Sequence, residues 1–338
     1  MLDVHTDRLR LRLLRDGDVA NFTAYRNDPR LAEYQAWELP FTLEQGHEIA
    51  AEQADRDDVA DDAWTTIAIE LDDMHIGDVV AKVFGGGGVA EIGYSLMADH
   101  QGMGYASEAA GALVDHLIAG GVQRIEASLD VRNVPSMRVL EAIGLQFECI
   151  AKQGFHWRGE WVDDLRYAMT ADERRTWLSR NVSAPQAVEL AEITPTDSRR
   201  WAQVRTHYSQ RRLVSPVDVS FGDALFPEEI NGTPVTPWIR GILADGERAG
   251  FLMLAAVSPA HMDPYLWRLL IDRAHQRRGI GERAIAELIT VLREQGCTAL
   301  LTSYVADVPG SPEAFYRRLG FIPTGEMDGD ETVARLSL

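Results

Sequence analysis

Cysteine is scarce in this sequence of 338 residues, in which Cys149 and Cys297 are the only two. Two cysteines so far apart provide neither a disulfide framework nor a metal-ligand spacing. The nine histidines are scattered, and no pair of them has the spacing of a zinc site. We therefore expect no metal centre.

Long apolar runs are also lacking. The longest clean one, Phe251–Val257, is much too short to span a bilayer. The first residues, Met-Leu-Asp-Val-His-Thr-Asp-Arg, contain no apolar segment of the kind found in signal peptides. These absences predict a cytoplasmic protein.

The chain has no excess of positive charge, since its formal net charge is −19. Nucleic-acid binders need a basic face to displace counterions from phosphates. We therefore expect neither nucleic acid nor an anionic membrane surface as a partner. Acidic charge suits a cationic small molecule such as a polyamine, and the alternative is that it only keeps the protein soluble.

A glycine motif occurs twice, as Gln101-Gly-Met-Gly-Tyr-Ala106 and as Gln276-Arg-Arg-Gly-Ile-Gly281, at an offset of 175 residues. A helical pattern follows each copy. Further on, a short helical pattern ends at Gly144 in one half and at Gly320 in the other, at an offset of 176. Two landmarks in register predict a duplicated domain. We place the domains at 1–175 and 188–338, with a linker at 176–187.

The order of predicted elements favours a mixed α/β sheet in each domain. An alternating strand is predicted at Arg8–Leu13. The other predicted elements of the first domain are helices near Asp16–Arg26 and Leu43–Gln53, strands near Thr65–Glu70, Ile76–Val83 and Glu91–Leu96, a long helix after the glycine motif, and a strand at Arg124–Leu129.

A glycine turn between a strand and a helix makes an anion site, because free backbone N–H groups and the helix dipole meet there. We predict that the two motifs bind a pyrophosphate, with Gln101 and Gln276 donating through their amides. A tight turn without a ligand is the alternative, since this is neither a P-loop nor the dinucleotide fingerprint. The prediction covers Gln101, Gly102, Met103, Gly104, Tyr105, Ala106, Gln276, Arg277, Arg278, Gly279, Ile280 and Gly281.

The pattern Q-x-x-G-x-G/A after a strand and before a helix resembles the pyrophosphate motif of the GNAT superfamily of acyl-CoA-dependent N-acyltransferases. The first half is similar to ribosomal-protein N-terminal acetyltransferases, in Thr6–Arg12, Glu91–Tyr94, Gln101–Ala109, Asn133–Ser136 and Gly159–Asp163. The second half is similar to diamine or spermidine acetyltransferases, in Leu266–Asp272, Gly310–Tyr316 and Gly320–Glu326. The resemblance covers nearly the whole chain. It implies acetyl-CoA as the cofactor and direct attack by a primary amine.

In the second half, Tyr316 stands where the resemblance implies the general acid, and the alternative is a packed aromatic side chain. A phenol with an ordinary pKa of about 10 is suited to reprotonate a thiolate. The strand position that carries an acidic residue in many polyamine enzymes is Trp267 here. Trp267 then either contacts a substrate ammonium by a cation–π interaction or packs in the core. A water chain to Glu228 or Glu229 is one route for the proton.

In the first half, Leu140 replaces the tyrosine. The resemblance implies that Ser136 serves the leaving thiol, with Asn133 beside it at the cofactor, although both residues also suit a helix N-cap. Glu91 is the nearest candidate base. It lies one residue from the usual strand carboxylate, so that alternation turns it to the other face of the strand.

Three further hypotheses stay open. The acceptor is a polyamine-like molecule or a protein N-terminus, and an aminoglycoside antibiotic suits an acidic cleft equally well. A non-catalytic acyl-CoA sensor with one degenerate domain is a different class of function. The duplication also predicts an internal pseudo-dimer, which leaves the chain monomeric.

Overall fold

Two mixed β-sheets, one in each half of the chain, carry the helices and the glycine loops. The computed structural model describes residues 2–230, 233–258 and 262–338. The chain divides into two compact units, Met1–Ser179 and Arg180–Leu338, which are called the first and the second unit below. The predicted fold class, a mixed α/β sheet in each half, is confirmed.

The described part of the first unit contains eight strands and six α-helices. The strands are β1 (Asp3–His5), β2 (Arg10–Leu13), β3 (Thr65–Leu71), β4 (Met74–Phe84), β5 (Val89–Leu96), β6 (Arg124–Asp130), β7 (Gln146–Trp157) and β8 (Glu160–Thr170). The helices are α1 (Val19–Arg26), α2 (Pro29–Ala32), α3 (Leu43–Glu52), α4 (Tyr105–Ala119), α5 (Val134–Ile143) and α6 (Ala171–Ser179). The predicted strands at β3 to β6 and the predicted helices at α1, α3 and α4 are confirmed.

The strands of the first sheet lie in the order β1-β2-β3-β4-β5-β6-β8-β7. Its neighbouring strands are antiparallel except for β5 and β6. A parallel pair needs a crossover connection, usually a helix, and α4 is that crossover. The glycine motif of the first unit therefore lies between the carboxyl end of β5 and the start of α4.

The described part of the second unit contains nine strands and four α-helices. The strands are β9 (Val188–Glu192), β10 (Glu229–Ile230), β11 (Thr233–Pro234), β12 (Thr236–Ala244), β13 (Glu247–Ala256), β14 (Tyr265–Ile271), β15 (Ala299–Tyr304), β16 (Ile322–Asp328) and β17 (Glu331–Ser337). The helices are α7 (Ser198–Trp201), α8 (Val217–Leu225), α9 (Ile280–Glu294) and α10 (Glu313–Arg318).

The second sheet repeats the topology of the first. Its order is β16-β17-β15-β14-β13-β12-β9, and its parallel pair is β14 and β15. The crossover helix is α9, and the second glycine motif precedes it. Equivalent strands thus surround equivalent loops, and the predicted duplication is confirmed.

The two crossover helices are held to their sheets by one apolar face. In α4 the buried face consists of Ala109, Ala110, Leu113, Val114 and Leu117. In α9 it consists of Ile280, Ala284, Ile285, Leu288 and Leu292. Complete burial of each leucine or isoleucine contributes about 1.5–3 kcal/mol, so each helix start is fixed relative to its sheet.

The short helices α5 and α10 end at glycines in the left-handed conformation, as the sequence predicts. Gly144 has a φ of +99° and Gly320 a φ of +92°. Trp177 of α6 packs over Gly144, with ring atoms 2.6–2.8 Å from where a Cβ would stand. This packing extends α6 to Ser179, so the first residues of the predicted linker at 176–187 are helical.

Candidate active sites

Glycine begins both crossover helices in the left-handed conformation. Gly104 has a φ of +84° before α4, and Gly279 has a φ of +76° before α9. No side chain caps either helix there, so the first backbone N–H groups are available to an anion. A Cβ on Gly279 would meet no atom within 4 Å, and one on Gly104 would meet only Arg8 Nη2 at 3.5 Å. Glycine is therefore required at both positions because φ is positive and because a ligand can then approach the backbone. Crowding by neighbouring protein atoms does not require it.

The two glutamines of the motifs fasten their loops to the preceding strands. Gln101 Nε2 donates to the carbonyl oxygen of Leu96, and Gln276 Nε2 donates to that of Ile271, both at 3.0 Å. Donors and acceptors are each 175 residues apart, so the hydrogen bond itself is duplicated. Gln276 Nε2 also donates to Gln210 Oε1 at 2.8 Å, so both of its N–H groups are used within the protein, against its predicted role as a ligand donor. The Gln101 amide has a second N–H, and its donation to a ligand stays a prediction.

In the first unit, Arg8 organises the loop. Its guanidinium donates to the carbonyl oxygen of Met103 at 3.0 Å, pairs with Glu108 at 2.6 Å and lies 4.4 Å from the ring centroid of Tyr105. Met103 and Tyr105 are thus held from the amino-terminal strands. The sequence pattern gave no signal for Arg8, because the contact joins residues about a hundred positions apart.

In the second unit, the two arginines of the motif play different roles. Arg277 has a φ of +63° at the position of Gly102, and it lines a cavity beside the loop. Arg278 is buried, and its guanidinium lies 2.7 Å from the carbonyl oxygen of Ser183 and 2.7 Å from His275 Nδ1. Only the backbone N–H of Arg278 is left for the predicted phosphate site.

The remaining loop residues contribute little beyond their backbone. Ile280 is 1% exposed and belongs to the core of the second unit. A Cβ on Gly281 would approach the ring of Phe315 at 3.4 Å, so a small residue allows α9 to pack closely. Ala106 occupies the equivalent position of α4.

The parallel strands beside each loop diverge. In the first unit, β5 and β6 are paired only from Val89 to Glu91 on β5, which continues to Leu96. In the second unit, only Tyr265 and Leu266 of β14 are paired with β15. After Glu91 on β5 and after Leu266 on β14, the backbone N–H and C=O groups are not paired with the parallel strand. They can therefore pair with an extended ligand.

A cavity of about 460 Å³ in the second unit extends from the glycine loop to α10. Tyr316 lines it and is itself 7% exposed. Its ring stacks on that of Tyr304 at a centroid distance of 5.7 Å. Burial raises the pKa of Tyr316 to about 12, and a hydrogen bond with Thr302 opposes this shift. The phenol is therefore protonated at neutral pH and can act as a proton donor.

Trp267 also lines this cavity, and it packs against the cluster around Phe251 at the same time. It lies at a β-bulge of β14, because Leu254 pairs with Leu266 whereas Met253 pairs with Arg268. Trp267 thus borders the cavity and packs in the core at the same time, so both of the surroundings considered for it are present. Glu228 and Glu229 are exposed and lie outside the described wall of the cavity, which corrects their suggested part in a relay.

The first unit holds a cavity of about 520 Å³ against β5, β6 and β8. Glu91 lines it and accepts a hydrogen bond from Ser128 Oγ at 3.3 Å. The neighbours that alternate with Glu91, Ala90 and Ile92, are buried. Glu91 thus lines this cavity together with the next four residues of β5, from Ile92 to Ser95, and its part as a base stays a prediction. Aromatic side chains complete the wall, namely Tyr34, Trp37, Trp64, Phe155 and Trp157.

Ser136 and Asn133 lie together at the start of α5. The Asn133 Oδ1 atom accepts a hydrogen bond from the Ser136 backbone N–H at 3.1 Å, so the N-cap alternative holds for Asn133. The Ser136 hydroxyl lies 2.9 Å from the hydroxyl of Tyr94, which lines the cavity from β5. Burial raises the pKa of Tyr94 far above its ordinary value. The sequence placed Tyr94 in a motif but gave it no role.

Asp164 is an acidic residue of the first cavity that no sequence pattern singled out. Its side chain is 8% exposed and pairs with Arg166 at 2.8 Å. Burial raises the pKa of its carboxyl group, and the charges of Glu91 and Asp130 act in the same direction against that of Arg166. Asp164 thus holds a proton more readily than an ordinary aspartate does.

Neither a metal centre nor a membrane span is found in the part of the chain that the structure describes. In residues 2–230, 233–258 and 262–338, no cluster of three histidine, cysteine or acidic side chains has the arrangement of a metal site. Over the same residues, every helix is too short or too polar to cross a bilayer.

Comparison with known families assigns both halves. Residues 8–146 match the family described as acetyltransferase (GNAT) domain, and residues 201–321 match the one described as acetyltransferase (GNAT) family. Together the matches span more than half of the chain. The chain therefore belongs to the GNAT acetyltransferases, with two domains of the family in tandem, and the family transfers acetyl groups from acetyl-CoA.

Two relatives named as N-acetyltransferases agree with this assignment. The uncharacterized N-acetyltransferase p20 of Bacillus licheniformis is 28% identical over 51% of this chain and 98% of its own length. The uncharacterized N-acetyltransferase YnaD of Bacillus subtilis is 32% identical over 32% of this chain and 64% of its own length. A solved structure, Mycobacterium smegmatis RimJ in complex with CoA-disulfide, is 26% identical over 49% of this chain and 83% of its own, with a TM-score of 0.44.

Proposed function

We propose that the chain is an acetyl-CoA-dependent N-acetyltransferase with one acetyl-CoA site in each unit. One observation carries the proposal: in both units a left-handed glycine begins the crossover helix next to a diverging pair of parallel strands. The helix start suits a pyrophosphate, and the diverging strands suit an extended chain with amide groups. Acetyl-CoA has both parts and supplies an activated acyl group.

The residues that would hold the pyrophosphate are those of the two loops, 101–106 and 276–281, through their backbone N–H groups. Arg277 adds a positive charge in the second unit. Arg8 adds one in the first unit, where it is shared with Glu108. The acetyl end then lies near the point where the strands diverge, which the wall of each cavity includes.

In the second unit, Tyr316 is the proposed general acid. Its phenol lines the cavity and holds its proton at neutral pH, as an ordinary tyrosine does. Burial raises its pKa to about 12, which makes it a weaker acid, so its proposed role depends on its place beside the leaving sulfur as the thioester bond breaks. Trp267 is the proposed wall for the substrate ammonium.

In the first unit, the proposed acid is the pair formed by Tyr94 and Ser136. Leu140 occupies the position of Tyr316 and has no proton to give. The Tyr94 hydroxyl, 2.9 Å from Ser136 Oγ, comes from β5 instead of the helix. The Tyr94 hydroxyl also lies 2.9 Å from the carbonyl oxygen of Ser136, to which it donates. To protonate the thiolate, one of the two hydroxyls would have to turn its proton from these partners to the sulfur.

The proposed acceptor is a primary amine of a polyamine-like molecule or of a protein N-terminus, and the proposed route is direct attack in a ternary complex. Four carboxylates and one arginine line the cavity of the first unit, which favours a cationic substrate there. The cavity of the second unit carries Glu282 and Glu331 together with three arginines. The chain is further proposed to be monomeric, which its mass in solution by light scattering tests.

The test of direct transfer uses acetyl-CoA with a radioactive acetyl group. Mixed with the protein alone, it should leave no label on the chain after denaturation. Addition of spermidine, kanamycin or trialanine amide should release CoA thiol and label at least one amine. A labelled chain would overturn direct attack, and binding without any labelled product would favour the acyl-CoA sensor.

A further inference from the structure

The last strand of each unit pairs in the same register with the strand that follows the crossover helix, β8 with β6 and β17 with β15. In the first unit, Arg124 of β6 pairs with Thr170 of β8. In the second unit, Ala299, which lies 175 residues after Arg124, pairs with Ser337 of β17. The two strand pairs can therefore be superposed residue by residue.

In this register, Asp164 and Glu331 occupy the same position. Each lies six residues before the paired residue of its strand, Thr170 in β8 and Ser337 in β17. Each also lines the cavity of its own unit. The duplication has thus kept a carboxylate at one point of both cavities while the side chain changed in length.

A serine accompanies each carboxylate on the neighbouring strand. Ser128 lies four residues after Arg124 on β6, and Ser303 lies four residues after Ala299 on β15. Both serines line the cavity of their unit. The Ser303 hydroxyl donates to Glu331, and the Ser128 hydroxyl donates to Glu91 at 3.3 Å. Each cavity thus presents a serine and an acid on the same side of the sheet.

The surroundings of Asp164 favour binding of a cation. Asp164 lies directly opposite Asp130 in the register of β6 and β8, and like charges placed directly opposite destabilise a sheet. Only 7–8% of the two side chains is exposed, and each pairs with one arginine two residues further along the chain, Asp130 with Arg132 and Asp164 with Arg166. An ammonium group bound between the carboxylates would relieve the remaining repulsion.

In the second unit, Glu331 lies close to the proposed acid. Its charge raises the pKa of both Tyr316 and Tyr265, so the carboxylate is within electrostatic reach of the phenol. A base and an acid therefore line one cavity, as transfer from an amine to a thioester requires.

We propose that Asp164 and Glu331 bind the ammonium group of the acceptor and take its proton, one residue in each active site. This inference rests on the proposed acetyltransferase function. The amine nitrogen loses one proton to the carboxylate and forms the bond to the acyl carbon. The bond from that carbon to sulfur breaks, and the sulfur takes a proton from Tyr316 in the second unit or from the Tyr94 and Ser136 pair in the first. The second proton that the nitrogen loses as the amide forms restores the donor hydroxyl. The carboxylate then releases its proton to solvent.

The test compares D164N, E331Q and the double variant with E160Q and E326Q. The two controls remove exposed carboxylates of the same hairpins, outside the cavity walls. Turnover of spermidine, kanamycin and trialanine amide is followed by release of CoA thiol, and acetyl-CoA affinity by calorimetry. For each amine that the unchanged chain accepts, the double variant should lose about 100-fold or more in kcat/KM. Acetyl-CoA affinity should stay unchanged, and the controls should behave like the unchanged chain.

The single variants D164N and E331Q show which unit loses its activity. A D164E and E331D double variant, which keeps both carboxylates, should retain part of the activity that the D164N and E331Q double variant loses. Parental kcat/KM in the double variant would overturn the inference, as would acetyl-CoA binding without turnover of any of the three amines. Absence of acetyl-CoA binding by the unchanged chain would instead refute the proposed function, and the inference falls with it. Unchanged acetyl-CoA affinity in the variants distinguishes loss of the base from misfolding.

Discussion

The two units share the geometry around the glycine loop but differ in how they can supply a proton. The loop is duplicated down to a single hydrogen bond, from Gln101 to Leu96 and from Gln276 to Ile271, both at 3.0 Å. The proposed acid is not duplicated: Tyr316 comes from α10, whereas Tyr94 comes from β5 and contacts Ser136. After duplication, the loop proposed to bind acetyl-CoA has been kept, and the group proposed to protonate the leaving thiolate has changed.

The largest effect is expected when Tyr316, the proposed acid of the second unit, is replaced. Replacement by phenylalanine removes the proton donor but keeps the ring that stacks on Tyr304. Turnover by the second unit should fall about 100-fold or more, with little change in acetyl-CoA affinity. Initial rates of thiol release with each amine measure this.

The matched change in the first unit is Y94F combined with S136A. It should reduce turnover of the amine that the first unit acetylates and leave turnover of the amine of the second unit unchanged. Equal losses of the same activity in both sets of variants would show that the two sites do not act independently.

A second comparison concerns the glycines that end α5 and α10. At Gly144, a Cβ would stand 2.6 Å from the nearest ring atom of Trp177, whereas at Gly320 it would meet only Leu336 Cδ1 at 3.4 Å. Both substitutions to alanine incur the cost of a positive φ, roughly 1–2 kcal/mol. G144A adds overpacking of about 1–3 kcal/mol.

Urea unfolding of the full chain measures the two substitutions. G144A should destabilise the first unit by about 3 kcal/mol, and G320A should destabilise the second by about 1 kcal/mol. Equal effects would contradict the account of Trp177 as the side chain that fixes the end of α5.

A smaller effect concerns acid stability of the second unit. Burial lowers the pKa of His207 to about 4, and the charges of Arg273, Arg180 and Arg277 act in the same direction. The unfolded chain binds a proton to this histidine below pH of about 6.5, whereas the folded chain does so only near pH 4. Stability is therefore lost as pH falls through this window.

The loss assigned to His207 is at most about 3 kcal/mol. H207Q should remove that part of the dependence of unfolding free energy on pH between 6.5 and 4. The slope is measured by denaturant unfolding at several pH values. An unchanged slope in H207Q would show that other groups cause the acid sensitivity.

Much of this architecture could be predicted from the sequence because it depends on local patterns. The glycines at 104, 144, 279 and 320 indicate helix ends, and two constant offsets indicate the duplication. The apolar faces of α4 and α9 follow from helical periodicity. These features need only neighbours within a few turns of the chain.

The groups that face the acceptor depend on distant pairing and could not be predicted in the same way. Asp164 meets Asp130 only through the register of β6 and β8. A bulge at Trp267 changes the alternation of β14, and a bulge depends on the partner strand and not on the local sequence pattern. The acceptor of the Gln101 amide could not be predicted either, because the sequence does not distinguish a ligand oxygen from a backbone carbonyl oxygen.

The central claim, that both units bind acetyl-CoA through their loops, is tested most directly by calorimetric titration of the unchanged chain. The expected result is two acetyl-CoA molecules per chain. G104A and G279A should each remove one site, because both replace a glycine of positive φ. G86A and G246A change glycines of positive φ in open hairpin turns and should keep both sites. One site in the unchanged chain, or two in the G104A and G279A double variant, would contradict the claim.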